Sequence, residues 1–431
     1  MTKNLLLAFP LLLLLQCADN TSEVNKEATP EEMKIVRQAA EYDPQEAVWL
    51  IWSPVDHLEG FSNEAVTLEI IEQLVSSTKV KVTAASDELY DRASSMIPTT
   101  YLESGQVEVL KIPSVELWAR DMGPVFVEDN QGRKMIADFN FDAWGYGDTT
   151  EVDTQTEEKY DERVAAHLGL PMISSNMVSE GGDREVNGEG TLMVVETVEM
   201  GRNPHMTKEE MEAEFERMLG VTNVIWLKEG LKEDDHTFRG PIATHDGRKA
   251  YTVITTNGHI DEFARFVDDK TILLAQVDPA DMEDPIAQEN HRRMEENYAI
   301  LKSAVDQDGE PFKIMRVPLP QTIMGEMKPG DAVYDYISTL DYKDGSTFPV
   351  GEPVPVIAAA SYLNFLITDQ VILGQKYWRE GLDPSIKDRD KQVAQILSEV
   401  FPERTIIMLD ALAINYGGGG IHCITMHEPK L

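Results

Sequence analysis

GTLMVVETVEMGRNPHMTKEEMEAEFERMLGVTNVIWL, residues 190–227, reads as strand, helix, strand. Thr191 to Glu196 and Asn223 to Leu227 are short apolar runs rich in β-branched residues, bounded by polar or Gly-containing segments, which is a buried-strand pattern. Between them, Thr207 and Glu210 stand at capping-box spacing, and Met211, Phe215, Met218 and Leu219 recur at helical spacing. Gly220 supplies the stop, so a helix is predicted over 207–219. Similar strand-like runs occur upstream at Ala47 to Trp52, Val80 to Ala84, Val107 to Ile112 and Lys134 to Phe139. Downstream they continue at Thr271 to Val277, Phe312 to Val317, Val354 to Ala359, Tyr362 to Leu373 and Thr405 to Leu409. Helical patterns at Asn63 to Ser76, Glu157 to Leu168, Ile286 to Val305 and Lys387 to Val400 separate several of them, which makes the class α/β. No exact internal repeat stands out. The Asp/Gly-rich stretches near Asp142 to Thr150, Asp278 to Asp284 and Lys328 to Gly351 read as loops.

Composition narrows the function. A chain of 431 residues with 42% hydrophobic and 26% charged residues is neither disordered nor a membrane bundle, and its length allows two or three domains or one large closed α/β unit. The formal charge of -38 repels phosphate backbones and anionic headgroups, which disfavours nucleic acid as a partner. It draws cations, so a cationic small molecule or a basic peptide is electrostatically welcome, although acidic surfaces also serve solubility alone.

The amino terminus carries an address. Lys3 precedes an apolar run from Leu5 to Leu15, of signal-peptide length and too short for a stable membrane-spanning helix. Cys17 follows where a lipoprotein-type signal places the acylated thiol, although Gln16 before it departs from the small residue such processing prefers. Residues 1–17 are therefore expected to be a signal peptide, 18–32 an acidic flexible tether, and 33–431 the folded part. The expected location is periplasmic or on the outer membrane or cell surface as a lipoprotein, otherwise secreted. Membrane contact is then made only through the lipid anchor. With Cys17 acylated or removed, Cys423 has no intramolecular partner, so no internal disulfide framework is available.

Four short constellations carry chemistry. Trp118-Ala119-Arg120-Asp121-Met122-Gly123-Pro124 reads as a carboxylate at a strand-to-loop edge. Glu180-Gly181-Gly182-Asp183 sets a carboxylate beside glycines that permit close backbone approach. In Gly258-His259-Ile260-Asp261-Glu262, an extended chain would put His259 and Asp261 on one face. Gly417-Gly418-Gly419-Gly420-Ile421-His422-Cys423 places four consecutive glycines before the thiol, and the apolar pattern resumes at Ile421 to Met426. Taken singly, each is as often structural as functional. Together, a thiol, a histidine and several carboxylates with few basic neighbours suit a planar cation whose central carbon is attacked. Guanidinium fits, because carboxylates match its fork of N–H donors and a thiolate is a competent nucleophile. No zinc-type ligand spacing is present and the chemistry needs neither a metal nor a cofactor.

Trp118 to Pro124, Glu180 to Gly182, Gly190-Thr191-Leu192, Arg202-Asn203-Pro204, Gly258 to Glu262, Ser361-Tyr362-Leu363-Asn364-Phe365 and Gly418 to Thr425 occur in that order. This ordered set resembles the agmatine deiminase and bacterial (Porphyromonas-type) peptidyl-arginine deiminase family of the guanidine-modifying superfamily, from about Ala47 to Pro429. The resemblance implies a pentein-type fold: a five-bladed, pseudo-symmetric α/β propeller of repeated ββαβ units, making 33–431 a single deiminase catalytic domain. It implies Cys423 as nucleophile, His259 as general acid and base, Asp121 and Asp261 as the guanidinium grip, and Glu180 beside the histidine. Trp118, Asn364 and Gly419 fall in matching segments and are expected to line the site. The implied reaction is hydrolysis of a guanidinium substrate, agmatine or free or peptidyl arginine, to a ureido group and ammonia through a covalent thiouronium.

Two departures bear on the substrate. A long charged insertion, Glu229 to Thr256, precedes the histidine motif and is expected to reshape the entrance. The arginine pair by which the family's peptidyl branch holds a substrate carboxylate has no counterpart in Asp138 to Asp148. Asp142 or Asp148 would suit agmatine's terminal amine, although a solvated loop charge is the plainer reading. Amidino transfer and non-catalytic guanidinium capture by a lipoprotein are the alternatives, and the oligomeric state is not fixed by the sequence.

Overall fold

The helix expected at 207–219 forms over Lys208–Leu219, with Thr207 as its N-cap. Glu210 N–H donates to Thr207 Oγ1 at 3.2 Å and Thr207 N–H donates to Glu210 Oε2 at 2.8 Å, completing the capping box. Gly220 ends it at φ 72°, where any Cβ would run into the backbone of Val36. The flanking strands Thr191–Val195 and Asn223–Leu227 pair in parallel, and Glu185–Val186 pairs antiparallel to the first. The buried face of the helix, Met211, Phe215, Met218 and Leu219, packs with Leu192, Val194, Val125 and Ile35. The computed structural model describes residues 33–147 and 149–431, so the expected signal peptide, Cys17, the tether and Asp148 lie outside the described residues.

The same plan recurs in four further sheets. In each, two antiparallel strands are followed by a third that is parallel to the second. The sets are Val125–Asp129, Lys134–Asn140 and Met172–Val178; Ala264–Phe266, Thr271–Gln276 and Lys313–Pro318; and Leu366–Ile367, Val371–Gln375 and Thr405–Leu409. The last joins the two ends of the fold: Thr425–Pro429 pairs antiparallel with Gln45–Ile51, which is parallel to Lys79–Ala84. A parallel pair requires a long crossover. It is supplied by Asn63–Leu74, Tyr160–Leu168, Lys208–Leu219, Pro285–Ser303 and Pro384–Val400, respectively between the second and third strands of the five sheets taken from the amino terminus. Lys34–Leu431 forms one compact unit. No helix among the described residues is long and apolar enough to cross a membrane.

Several local expectations are corrected. Tyr362 to Leu373 is not one strand: Thr368 N–H bonds back to Val371 O at 2.9 Å, folding Leu366–Ile367 against Val371–Gln375 as a hairpin. His259 to Glu262 is not extended; His259 precedes a 3₁₀ turn over Ile260–Glu262. Asp121 does not sit at a strand edge, because Ala119–Met122 is a short helix well beyond the strand Val107–Lys111. The stretch 328–351 contains the helix Ala332–Ile337. The insertion 229–256 contributes Ala243–His245 and Arg248–Thr252 to a sixth sheet with Val354–Ile357 and Met324–Met327.

Replacing Thr207 by Ala removes one arm of the capping box from a helix on which a whole core cluster rests. The expected loss is about 1 kcal/mol. It is read as a lower urea midpoint at unchanged slope, and an unshifted midpoint would show that the cap carries no net stability.

Candidate active site

Cys423 follows the helix Leu412–Asn415 and the four glycines, and its side chain is buried. Gly418 adopts φ 124°, which is left-handed space that favours glycine. A Cβ on Gly419 would lie 2.8 Å from Cys423 Sγ and 2.9 Å from the Trp118 ring, so backbone, thiol and indole close on one another only because the residue is glycine. Asn364 Nδ2 donates to Cys423 Sγ at 3.0 Å, while its Oδ1 accepts from the His422 N–H at 2.9 Å. The thiol also faces Asp261 Oδ2 at 3.5 Å and Glu262 Oε1 at 3.7 Å. Burial raises the Cys423 pKa well above the ordinary thiol value, and Asp261, Glu262 and Asp121 add to it.

His259 lies between two carboxylates, with Nδ1 3.6 Å from Asp121 Oδ1 and Nε2 3.7 Å from Glu180 Oε2. Burial alone would lower its pKa, but Asp121 and Glu180 overcome that and push it up to about 10, so the ring is an imidazolium at neutral pH. Its loop is held by Asp234, whose Oδ2 accepts from the Gly258 and His259 N–H groups at 3.0 Å each. Glu180 Oε1 accepts from Arg202 Nε at 2.6 Å. Burial works against ionisation of Glu180, yet Arg202 and His259 hold its carboxyl well below the usual range.

Asp121 accepts from the Gly182 N–H at 2.9 Å and from Trp144 Nε1 at 2.8 Å. A Cβ on Gly182 would stand 2.5 Å from His259 Nδ1 and 2.7 Å from Asp121 Oδ1. Asp261 Oδ2 is 2.7 Å from His422 Nδ1, and His422 Nε2 is 2.6 Å from Glu41 Oε2, so the ring bridges the two carboxyls. Glu41 in turn accepts from Arg120 Nη2 at 2.7 Å and Arg265 Nη2 at 3.1 Å. Burial opposes ionisation of Asp261 too, but His422 lowers its pKa. Four buried atoms at this centre have no hydrogen-bond partner: Asp261 Oδ1, both ring nitrogens of His259, and Glu180 Oε2. The two ring nitrogens are donors that face Asp121 and Glu180, whereas the two carboxylate oxygens are acceptors of a kind normally satisfied, and they mark the place of a ligand with N–H donors.

A cavity of about 540 Å³ reaches this centre and is lined by Cys423, Asp121, Trp118, Trp144 and residues of the insertion, Ile254 to Thr256. Thus all eight expected site residues, Cys423, His259, Asp121, Asp261, Glu180, Trp118, Asn364 and Gly419, belong to one neighbourhood. The insertion does shape the wall. Asp142 does not face the cavity: it accepts from the Gly145 N–H at 2.8 Å and lies 3.5 Å from Arg202. Glu262, His422, Trp144, Asp234 and Glu41 were not anticipated. The first two adjoin expected residues inside their motifs, so adjacency was the available signal; the last three had none. Among the described residues, Asp261, Glu262 and Cys423 place potential metal-ligand atoms within 4.8 Å of one another, and the same carboxylates and thiol serve an organic cation equally well.

The fold and the site define an α/β protein that holds a buried thiol and an imidazolium within a ring of carboxylates. The chain belongs to the Porphyromonas-type peptidyl-arginine deiminase family, whose profile matches residues 37–244 and 242–429. The agmatine deiminase of Pseudomonas aeruginosa (strain LESB58) is 29% identical over 403 residues, covering 91% of this chain and 95% of its own. That of Pseudomonas syringae pv. syringae (strain B728a) is 30% identical over 402 residues, covering 90% and 94%. The solved structure of the agmatine deiminase of Enterococcus faecalis, at 24% identity, superposes with a TM-score of 0.70 over 91% of this chain and 96% of its own, and so shares the fold.

The electrostatics make His259 titrate near 10 rather than near 6.5. A folded-state pKa raised in this way stabilises the protein fully below pH about 6.5, and the contribution is lost as pH rises toward 10. In an NMR titration the His259 ring resonances should stay those of imidazolium through pH 8, and in Glu180→Gln they should titrate at lower pH. A wild-type midpoint near 6.5 would contradict the assigned field.

Proposed function

We propose that this protein is an exported hydrolase that converts a guanidinium group to a ureido group and ammonia through a covalent Cys423 thiouronium. The observation that supports this most directly is the pair of buried, unpartnered carboxylate oxygens, Asp261 Oδ1 and Glu180 Oε2, beside an uncharged thiol and a charged histidine. A guanidinium ion carries its N–H donors in a plane, and Asp121 and Asp261 offer carboxylates to grip it bidentately. Its positive charge beside Sγ reverses the effect of the carboxylates and favours the thiolate, so the thiol releases its proton to solvent water and the nucleophile forms when the substrate arrives.

The steps balance with water as the one co-substrate. The thiolate adds to the guanidinium carbon, forming the C–S bond. His259 gives its proton to one departing amino group, which leaves as ammonia and returns the carbon to a planar, cationic thiouronium. Neutral His259 then takes a proton from water as the oxygen attacks that carbon. The C–S bond breaks, the thiolate leaves, and loss of a proton gives the ureido product. Glu180, fixed by Arg202, stabilises the imidazolium before and after. Asn364 and Gly419 set the thiol's position, and Trp118 packs at its side.

The names of the two Pseudomonas relatives favour agmatine over free or peptidyl arginine. The repeated ββαβ sheets, with the carboxy-terminal strand completing the first, support a five-bladed pseudo-symmetric propeller with the site where the blades converge. Lys3, the Leu5 to Leu15 run and Cys17 support export, with lipid attachment at Cys17.

Purified mature protein, given agmatine, arginine and peptidyl arginine, should release ammonia and ureido product in equal amounts. Cys423→Ser should lower kcat by about a thousandfold or more. Saturable guanidinium binding by both proteins with turnover by neither would overturn the hydrolase reading, and amidino transfer to an added amine in place of water would overturn the product.

A further inference from the structure

The cavity that reaches Cys423 is lined by five carboxylates, Glu116, Asp121, Glu151, Asp153 and Glu157, and, among the described residues, by no lysine or arginine. Asp121 belongs to the guanidinium site. Glu151 and Asp153 are exposed, as expected of solvated charges. Glu116 and Glu157 differ from both. Glu157, on the helix Val152–Glu158, is 97% buried by its 3% relative exposure, and its Oε1 accepts from the Glu116 backbone N–H at 3.1 Å. Among the described residues neither glutamate has a lysine, arginine or histidine within ion-pair distance. Burial, with Glu116 beside it, pushes Glu157 up to about 8. Two carboxyls facing one cavity without a cation are an unbalanced arrangement, because buried charges are ordinarily paired.

A second observation comes from another wall of the same cavity. His57 is buried and stacks near Trp118, with ring centroids 6.0 Å apart, and its Nε2 has no hydrogen-bond partner. Burial holds its pKa down at about 4, so the ring is neutral and one nitrogen is free to accept from an N–H donor. The spacing fits a short ligand. Glu116 is two residues before Trp118, a backbone separation of at most about 7 Å, comparable with the span of four methylenes. Trp118 in turn packs beside the thiol.

Resting on the deiminase reading, we infer that Glu116 and Glu157 receive a second positive charge on the substrate, which is a small α,ω-guanidinoalkylamine with its ammonium opposite the guanidinium. The same walls select against a substrate carboxylate. Free arginine or a carboxy-terminal arginine would bring its anion among the five acidic groups with no basic side chain to meet it. Asp142, which the sequence offered for the amine, is committed to its own turn and to Arg202.

The test compares agmatine with butylguanidine, which has the same length but lacks the ammonium, in the wild type, Glu116→Gln, Glu157→Gln and the double variant. Wild type should favour agmatine by about tenfold or more in kcat/KM, carried by KM, and the ratio should fall toward one in the variants. A wild-type ratio near one, or variants that slow both compounds equally, would overturn the inference. The wild-type ratio decides the matter even where a variant fails to fold, which thermal melting would report. If the wild type hydrolyses neither compound, the deiminase reading has failed. Calorimetric binding of the same two compounds then still judges the glutamate pair: preference for agmatine that is lost in the double variant supports it, and equal binding sinks it.

Discussion

Balancing buried negative charge is the constraint on which the rest of the structure depends. Asp261 and Glu262 are buried against one sulfur atom, and Asp121 and Glu180 are buried on either side of His259. Carboxylates removed from water persist as anions only when cations or hydrogen bonds replace the lost hydration. Three of the four are therefore backed by specific partners. Arg202 holds Glu180, His422 holds Asp261, and Asp121 and Glu180 together keep His259 charged. Glu41 anchors the next layer, where Arg120 and Arg265 neutralise it and it in turn fixes His422. Glu262 has no cation of its own, and burial raises its pKa well above the usual carboxyl value.

That arrangement leaves Glu262 without a cation and Asp261 Oδ1 without a donor among the described residues, and the shortage is a form of specificity. A site fully neutralised by its own residues would have nothing to offer a guanidinium ion. A site with free carboxylates and no nearby imidazolium would bind the ion without a proton to give the leaving group. The observed compromise spends fold stability on both demands, as functional centres commonly do. Burial among these carboxylates also raises the pKa of the Cys423 thiol well above its ordinary value.

Elements whose sequence pattern is local were legible. The capping box at Thr207, the apolar strand runs and the crossover helices need only neighbouring residues for their reading, and the structure places them within a residue or three of the expected ends. The grouping of Cys423, His259, Asp121, Asp261 and Glu180 was legible because each sits in a Gly-bearing motif. Their local backbone was not. The 3₁₀ turn at Ile260–Glu262 and the helix Ala119–Met122 are imposed by tertiary hydrogen bonds, such as those of Asp234 with Gly258 and His259. Glu41 lies 381 residues from the histidine it holds, a separation no local pattern can signal.

The insertion shows how a departure from a family pattern becomes part of the site. Its strands join a sixth sheet, and Asp235 within it is clamped by Arg293 at 2.8 Å, so the segment is fastened to the rest of the fold at both ends. Next to the first fastening, Asp234 accepts from Thr256, Gly258 and His259 and sets the loop that presents the imidazole. Ile254 to Thr256 then line the cavity, and Thr256 O accepts from the same Arg202 that fixes Glu180. A segment that looked like an added entrance loop is thus tied to both carboxylate and histidine. Shortening it would disturb the loop that carries His259 before it altered the mouth.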